Sequence, residues 1–433
     1  MRNLLAITAL VFYCGAIAST NSYAQDSWPQ WRGPNLDNVS TATNLPAEFN
    51  KDKNLLWRHP LPGPAGSSPV VYKDSVFVTT VVDSDDSLQL VCVGLDGSET
   101  WTAALGGKNK KIRMDSANSA SASPFTDGDH VWATTSAGFL ECFDMLGESV
   151  WSKDLQEAYG DFQIQFGMSS TPVLHDGVIY MQMIHGRMRD RSKTSVGTVA
   201  ALNAKTGDEI WSVKRETDGH SENKHSYASP TLVMDGETKY LVTHGGDYVI
   251  GHSLDDGSEL WRCGGINPRS SYNPYLRFVS SPTFAEGQLI VPSAKNGPVF
   301  SMKPTLSGDV TESEEVFNWK LTQGTPDVAS PLVHDGLVFL ARENGVLLCV
   351  DAKTGEQIYE KRMFADRHRS TPVYADGKVF VVGRDGTVVV VSADREGAEL
   401  GRNELNENAT SSPAIVDGKI FVRTESALYC FGK

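Results

Sequence analysis

None of the six cysteines, at 14, 92, 142, 263, 349 and 430, is adjacent to another or spaced as CxxC. Haem c attachment and structural zinc need ligands at short fixed spacing, so both are excluded and no metal site is expected. Basic charge is scarce as well, with 39 Lys and Arg against 53 Asp and Glu and a net charge of -14. A summed field of that sign argues against a polyanion binder, so nucleic acid is not an expected partner, while local basic patches stay open. HExxH, GxSxG, Walker and GxGxxG motifs in their required contexts are missing too. No nucleophile and base can be paired from the sequence.

Apolar runs long enough to matter are absent except at the start, where Arg2 precedes residues 4–18 and Ser22-Tyr23-Ala24 follows. One basic residue, a short apolar segment and small residues at a cleavage position predict a secretory signal peptide over 1–24. Tyr13 stands where a lipobox before Cys14 wants a small residue, so no lipid anchor is expected. The mature chain is expected to be soluble, periplasmic or secreted, with no transmembrane segment.

What the sequence does have is internal repetition. A Ser/Thr-Pro pair recurs eight times, at 68, 123, 171, 229, 281, 330, 371 and 412. An apolar run follows each pair and then a turn, with Asp-Gly or Glu-Gly in seven cases and Asp74-Ser75 in the first. Such dipeptides between β-rich runs favour tight hairpins because Gly accepts positive φ. A second strand, a third strand, another Gly turn and a fourth strand come next. The fourth strand carries Trp101, Trp151, Trp211, Trp261, Trp319, Tyr359 and Leu400 in turn. The last repeat stops after its third strand at 427–431, while a strand with Trp57 at 55–61 precedes the first Ser-Pro and has no partner of its own. If that strand completes the last repeat, eight four-stranded antiparallel blades close into a ring with no free edge. The fold class expected is therefore all-β, an eight-bladed β-propeller closed by an N-terminal strand. The residues before the Ser/Thr-Pro pairs are all Ser or Ala (Ser67, Ala122, Ser170, Ala228, Ser280, Ala329, Ser370, Ser411), and they are expected to line the crowded axis. Cys142, Cys349 and Cys430 fall in similar strand contexts and read as small buried side chains.

The segments Leu202-Asn203-Ala204-Lys205-Thr206-Gly207-Asp208-Glu209-Ile210-Trp211 and Val350-Asp351-Ala352-Lys353-Thr354-Gly355-Glu356-Gln357-Ile358-Tyr359 resemble the repeat of the PQQ-like, or quinoprotein-dehydrogenase-like, eight-bladed propellers. The resemblance covers 55–433. Residues 25–54 read as an arm whose Trp28-Pro29-Gln30-Trp31-Arg32-Gly33-Pro34 is similar to the leader of such propellers. That arm is expected to pack its Trp rings on the surface of the ring. The fold hosts enzymes, assembly factors and signalling domains, so it does not choose among functions.

Length variation falls mainly on one face, in 102–121, 152–169, 184–197, 212–227 and 262–279, where a rigid propeller usually places binding. Basic residues concentrate there too: Lys108, Lys110, Lys111 and Arg113; Arg187, Arg189, Arg191 and Lys193; Arg362, Arg367, His368 and Arg369. Neighbouring acids such as Asp190 and Asp366 offset part of that charge. The opposite turns are acidic, among them Asp96, Asp127, Asp176, Asp208, Asp335, Asp376 and Asp417. Asn118, His225, Tyr227, Arg277, Asp327, His368 and Arg369 are the expected ligand or partner residues nearest the axis. The loop 83–87 has calcium-like acids without a bidentate Glu and reads as a hairpin end.

The first functional reading is a non-catalytic exported binding or scaffold protein that meets an unknown protein or a small anionic ligand. No catalytic residue and no cofactor are expected under it. The resemblance implies two alternatives. One is a PQQ-dependent alcohol or sugar dehydrogenase using PQQ with calcium, against which stand the missing Cys-Cys pair, the missing haem motif and the short mature chain. The other is an envelope assembly factor resembling the barrel-assembly propeller of the outer membrane.

Overall fold

A Ser or Thr before Pro is held in extended backbone because the Pro ring clashes with an α conformation, and Pro itself brings no competing N–H. That local rule, applied eight times, starts eight innermost strands. The computed structural model describes residues 27–110, 118–189, 194–365 and 367–433. The proposed leader 1–24 with Cys14, and Lys111, Arg113, Asp190, Arg191, Lys193 and Asp366, lie outside the described residues. Eight antiparallel sheets form an eight-bladed propeller.

Blade 1 runs inner to outer through Val70–Tyr72, Ser75–Val82, Ser87–Gly94 and Glu99–Leu105. Blades 2 to 7 repeat the order, with inner strands at Phe125–Thr126, Val173–His175, Thr231–Asp235, Thr283–Ala285, Leu332–His334 and Val373–Ala375. Blade 8 has Ala414–Val416, Lys419–Arg423 and Ala427–Phe431, and its outer strand is Leu55–Pro60. The register Trp57↔Cys430, Arg58↔Tyr429 and Pro60↔Ala427 closes the ring as the repeat count requires. Hairpin chemistry follows the sequence: Asp176, Asp335, Asp376 and Asp417 take φ of 47 to 49 or 54°, each followed by a positive-φ Gly, the signature of a type I′ turn. The loop 83–87 is the turn between the second and third strands of blade 1. Among the described residues no helix is long and apolar enough to cross a membrane.

Blade-to-blade packing explains the outer aromatics. Trp57, Trp101, Trp151, Trp211 and Trp319 each donate the indole N–H to a carbonyl in the next blade, respectively Leu95, Met145, Ala204, Leu254 and Ala352, at 2.7 to 3.1 Å. Each ring lies on a turn glycine; at Gly97, φ +84°, a Cβ would meet Trp57 Cγ at 2.7 Å. Opposite the aromatic on the third strand stands a small residue: Cys92, Cys142, Cys349 and Cys430 face Trp101, Trp151, Tyr359 and Trp57. The five described cysteines are free and buried, and burial raises their thiol pKa values to about 11 or 12.

Three sequence expectations need correction. Blades 1 and 4 each gain a fifth strand, Ser27–Trp28 inside blade 1 and Gly308–Asp309 outside blade 4. The second comes from the long turn of blade 5, which displaces Trp261 from the usual dock and lays it over Gly251. Leu400 does not occupy the aromatic position of blade 7: register puts Gly401 opposite Val390, and Leu400 is exposed. The arm fills that slot, with Ala47 O against Gly401 and with Asn403 bonding both Phe49 N and Ala47 O.

The arm also does not lie on the ring's surface. It crosses the axis on the hairpin side and bonds inner strands in turn: Trp28 pairs Val71, Pro29 O accepts from Thr126 N, and Gln30 Oε1 accepts from Leu174 N. Arg32 then donates to the Pro230 and Pro282 carbonyls, Asn38 O accepts from Tyr374 N, and Ser40 Oγ donates to Ile415 O. These contacts stop the channel at one end.

Glu407 fastens the seam. Its carboxylate accepts from Lys51 and Arg58 on the incoming segment and from Tyr429, Thr424 and Ser426 in blade 8, at 2.5 to 3.3 Å. Burial raises its pKa, but the hydrogen bonds from Ser426, Tyr429, Thr424 and Lys51 outweigh it and hold the group at about 2, below its ordinary 4.5. A depressed carboxylate contributes stability above its unfolded pKa and loses it as pH falls through the folded one. Thermal melts should therefore place Glu407→Gln below the native protein at neutral pH, with the gap closing as pH drops from about 4.5 toward 2. A gap that stays constant down to pH 2 would mean that the charge at the seam does not matter.

Candidate functional site

The eight Ser/Thr-Pro hydroxyls form a closed belt around the axis. Ser68 N donates to Ser123 Oγ, Ser123 N to Thr171 Oγ1, Thr171 N to Ser229 Oγ and Ser229 N to Ser281 Oγ, at 2.9 to 3.1 Å. Ser281 N continues to Ser330 Oγ, Ser330 N to Thr371 Oγ1, Thr371 N to Ser412 Oγ, and Ser412 N returns to Ser68 Oγ at 3.0 Å. This shifts the expected axial ring by one residue. Side chains alternate along a strand, so residues 66, 68, 121, 123, 169 and 171 face the channel while Ser67, Ser370 and Ser411 turn into their blades, donating to Thr79, Val382 and Arg423 carbonyls. Small side chains are needed there for packing within the blades, not for clearance at the axis.

Above the belt the channel widens into a pit of about 450 Å³ that opens on the long-loop face. Its wall takes Tyr227, Arg277, Asp327, Glu343, Arg367 and Arg369, and Trp31 of the arm lies at its floor. Beneath that floor the guanidinium of Arg32 sits 4.7 Å from the Trp31 ring centre. Arg32 is fully buried, held by carbonyls and Thr283 Oγ1; burial lowers its pKa to about 9, partly countered by the charge of Asp37, so it remains cationic at neutral pH.

The wall has two charged clusters. On one side Arg277 pairs with Glu222 at 3.5 Å and lies 5.0 Å from the centre of the Phe166 ring, whose backbone N–H donates to Tyr227 Oη. On the other, Arg369 and Arg367 approach Glu343 at 3.8 and 3.9 Å, and Asp327 Oδ1 accepts from Lys295 N. Burial raises the Glu343 pKa, the neighbouring Asp327 carboxylate adds to the rise, and the two arginines oppose it. A second cavity of about 470 Å³ adjoins this side and shares Asp327, Glu343 and Arg367.

Of the seven residues expected near the axis, Tyr227, Arg277, Asp327 and Arg369 line the pit, and Asn118, His225 and His368 do not. His368 precedes Arg369, so alternation sends it the other way; it is buried, stacked on Phe364 at 5.6 Å, with its pKa lowered to about 3 by burial. Asn118 turns back to Pro64 O, and His225 Nε2 is bonded to Gly186 O at 2.8 Å in a buried site that lowers its pKa. Trp31, Phe166 and Glu343 were not anticipated from the sequence as wall residues. Only the Trp-rich leader carried any signal for one of them.

The repeat and the fold have counterparts among known proteins. A family model described as outer membrane protein assembly factor BamB matches residues 90–360 and 310–396. A curated protein of that description from Yersinia pestis is 26% identical over 247 residues, 56% of this chain and 52% of that protein, so the match spans about half of the relative's length. The crystal structure of BamB from Moraxella catarrhalis superposes with a TM-score of 0.62 at 13% identity, covering 88% of this chain and 97% of that one. The quinohemoprotein alcohol dehydrogenase of Comamonas testosteroni gives 0.66 at 12% identity, covering 95% and 81%. At such identities the two solved structures establish a common fold.

Proposed function

The chain belongs to the PQQ-like propeller family whose model is described as outer membrane protein assembly factor BamB, and from that premise we propose that it is a non-catalytic binding or scaffold protein of the envelope that meets a protein partner through its long-loop face. The observation that carries this reading is the one-sided channel. The arm occupies the hairpin end, so the long-loop end alone offers a concave surface with aromatic and arginine side chains, the types that dominate binding energy at interfaces. Outer membrane protein assembly is what the family description and the Yersinia relative name, and a factor in such assembly has proteins to meet. Export to the periplasm or beyond, after loss of residues 1–24, fits the same reading and rests on the leader sequence.

The dehydrogenase reading draws on the likeness of the repeat and of the fold. Calcium takes about six to eight oxygen ligands, whereas the pit's carboxylates, Asp327 and Glu343, adjoin each other and face Arg369 and Arg367. Two carboxylates, one of them facing two arginines, are few for calcium's coordination sphere and do not fit a calcium-held quinone. Accordingly, purified protein given PQQ and calcium is expected to reduce no electron-accepting dye with alcohols or sugars. PQQ-dependent turnover that vanishes in Asp327→Asn would establish the enzyme instead.

The partner face is tested by placing a photo-crosslinking amino acid at Phe166, Arg189 or Tyr275 on one side and at Asp208, Asp255 or Asp417 on the other, in cells that produce the protein. Protein adducts should form from the first set and not from the second. Adducts from the acidic turns alone would put the partner on the wrong side of the disc for this reading.

A further inference from the structure

The belt has a chemical consequence for the pit. A serine or threonine hydroxyl has one hydrogen to donate, and here each oxygen already accepts the amide hydrogen of the neighbouring blade. Seven of the eight, all but Ser330, face the pit, and among the described residues none of the seven donates its hydrogen to a protein acceptor. Each of these oxygens has one of its two lone pairs occupied while its hydrogen is uncommitted, so the ring is biased toward donation and suits a guest rich in acceptors, which describes an oxyanion better than a sugar. Charge points the same way. Among the described residues no carboxylate bonds the Arg32 guanidinium under the floor, and Arg277, Arg367 and Arg369 stand around the mouth, three arginines sharing Glu222 and Glu343.

The geometry points to a site for a compact oxyanion, a small polycarboxylate or phosphate compound, seated on the Ser/Thr hydroxyl ring with its charge facing Arg277 and Arg369. A volume of about 450 Å³ divided by the roughly 30 Å³ that a water occupies in the liquid leaves room for about fifteen non-hydrogen atoms. Asp327 and Glu343 offset part of the charge on the Arg369 side of the wall, so of the two arginines Arg277 would lie nearer the anion. The site does not depend on the protein-partner reading, since it is read with small probes on purified protein.

The experiment is calorimetric titration of the full mature chain with citrate and with pyrophosphate in a low-salt buffer, followed in parallel by tryptophan fluorescence. Saturable one-to-one binding of either probe is expected, and which of the two binds more tightly assigns the carboxylate or phosphoryl class. Trp31→Phe should keep the heat of binding and lose most of the fluorescence change. Ser229→Ala should weaken binding by fivefold or more, and Ser229→Thr, which restores a hydroxyl, should recover it. Ser330→Ala supplies the structural control: it removes a belt acceptor outside the pit wall, so it should lower the thermal midpoint and leave probe affinity unchanged. No saturable binding of either probe, or equal loss in Ser330→Ala and Ser229→Ala, would overturn the assignment.

Discussion

One repeated hydrogen bond, from the amide of each Ser/Thr-Pro hydroxy residue to the hydroxyl of the next, sets the geometry on which the remainder depends. Each bond contributes about 1 kcal/mol net, which is small for a chain of this size. Their effect lies in closure. The last amide, Ser412 N, can reach Ser68 Oγ only if all eight blades have turned through the same total angle. Blade number, channel width and the facing of every inner strand are thus coupled through one cyclic constraint. The outer rim repeats the logic at larger radius, where each indole reaches a carbonyl of the next blade.

Closure by a strand from the other end of the chain places the arm under the same constraint. Once Leu55–Pro60 is committed to blade 8, residues 27–54 must leave from the seam. They first fill the slot that Gly401 leaves empty on blade 7, then run across the axis. Blade 7 can dispense with an aromatic residue because the arm's backbone and Phe49 take its place, Phe49 packing on Phe431 at 4.6 Å. The result has an inside and an outside end, which a ring of eight similar blades would not have by itself.

How much of this can be read from the sequence follows from distance along the chain. Strand order, hairpins and the Trp57 closure are legible because each signal lies within one repeat or in an unmatched remainder. The alternation of side chains is equally local, yet the sequence does not place it: Ser67 and its equivalents are as uniform as the hydroxyl positions, and uniformity alone does not tell which set faces the axis. The placement of His368 beside Arg369 fails for the same reason. The pit is not legible. Its floor joins Trp31 and Arg32 to Pro282, 250 residues away from Arg32, a contact that no single repeat contains.

The belt also bears on what the pit can do chemically. A serine acts as a nucleophile when a nearby base takes its proton and its oxygen lone pair is free to attack. Here the oxygens accept amide hydrogens, which withdraws electron density from them, and no histidine is among the described residues lining the pit. His225 and His368 lie close by in sequence but are turned into buried sites that hold them neutral. The same bonds that close the ring therefore make its hydroxyls poor nucleophiles and good fixed donors. Hydroxyls held this way are fixed donors, so any selectivity at the mouth has to come from the loops that rise around it.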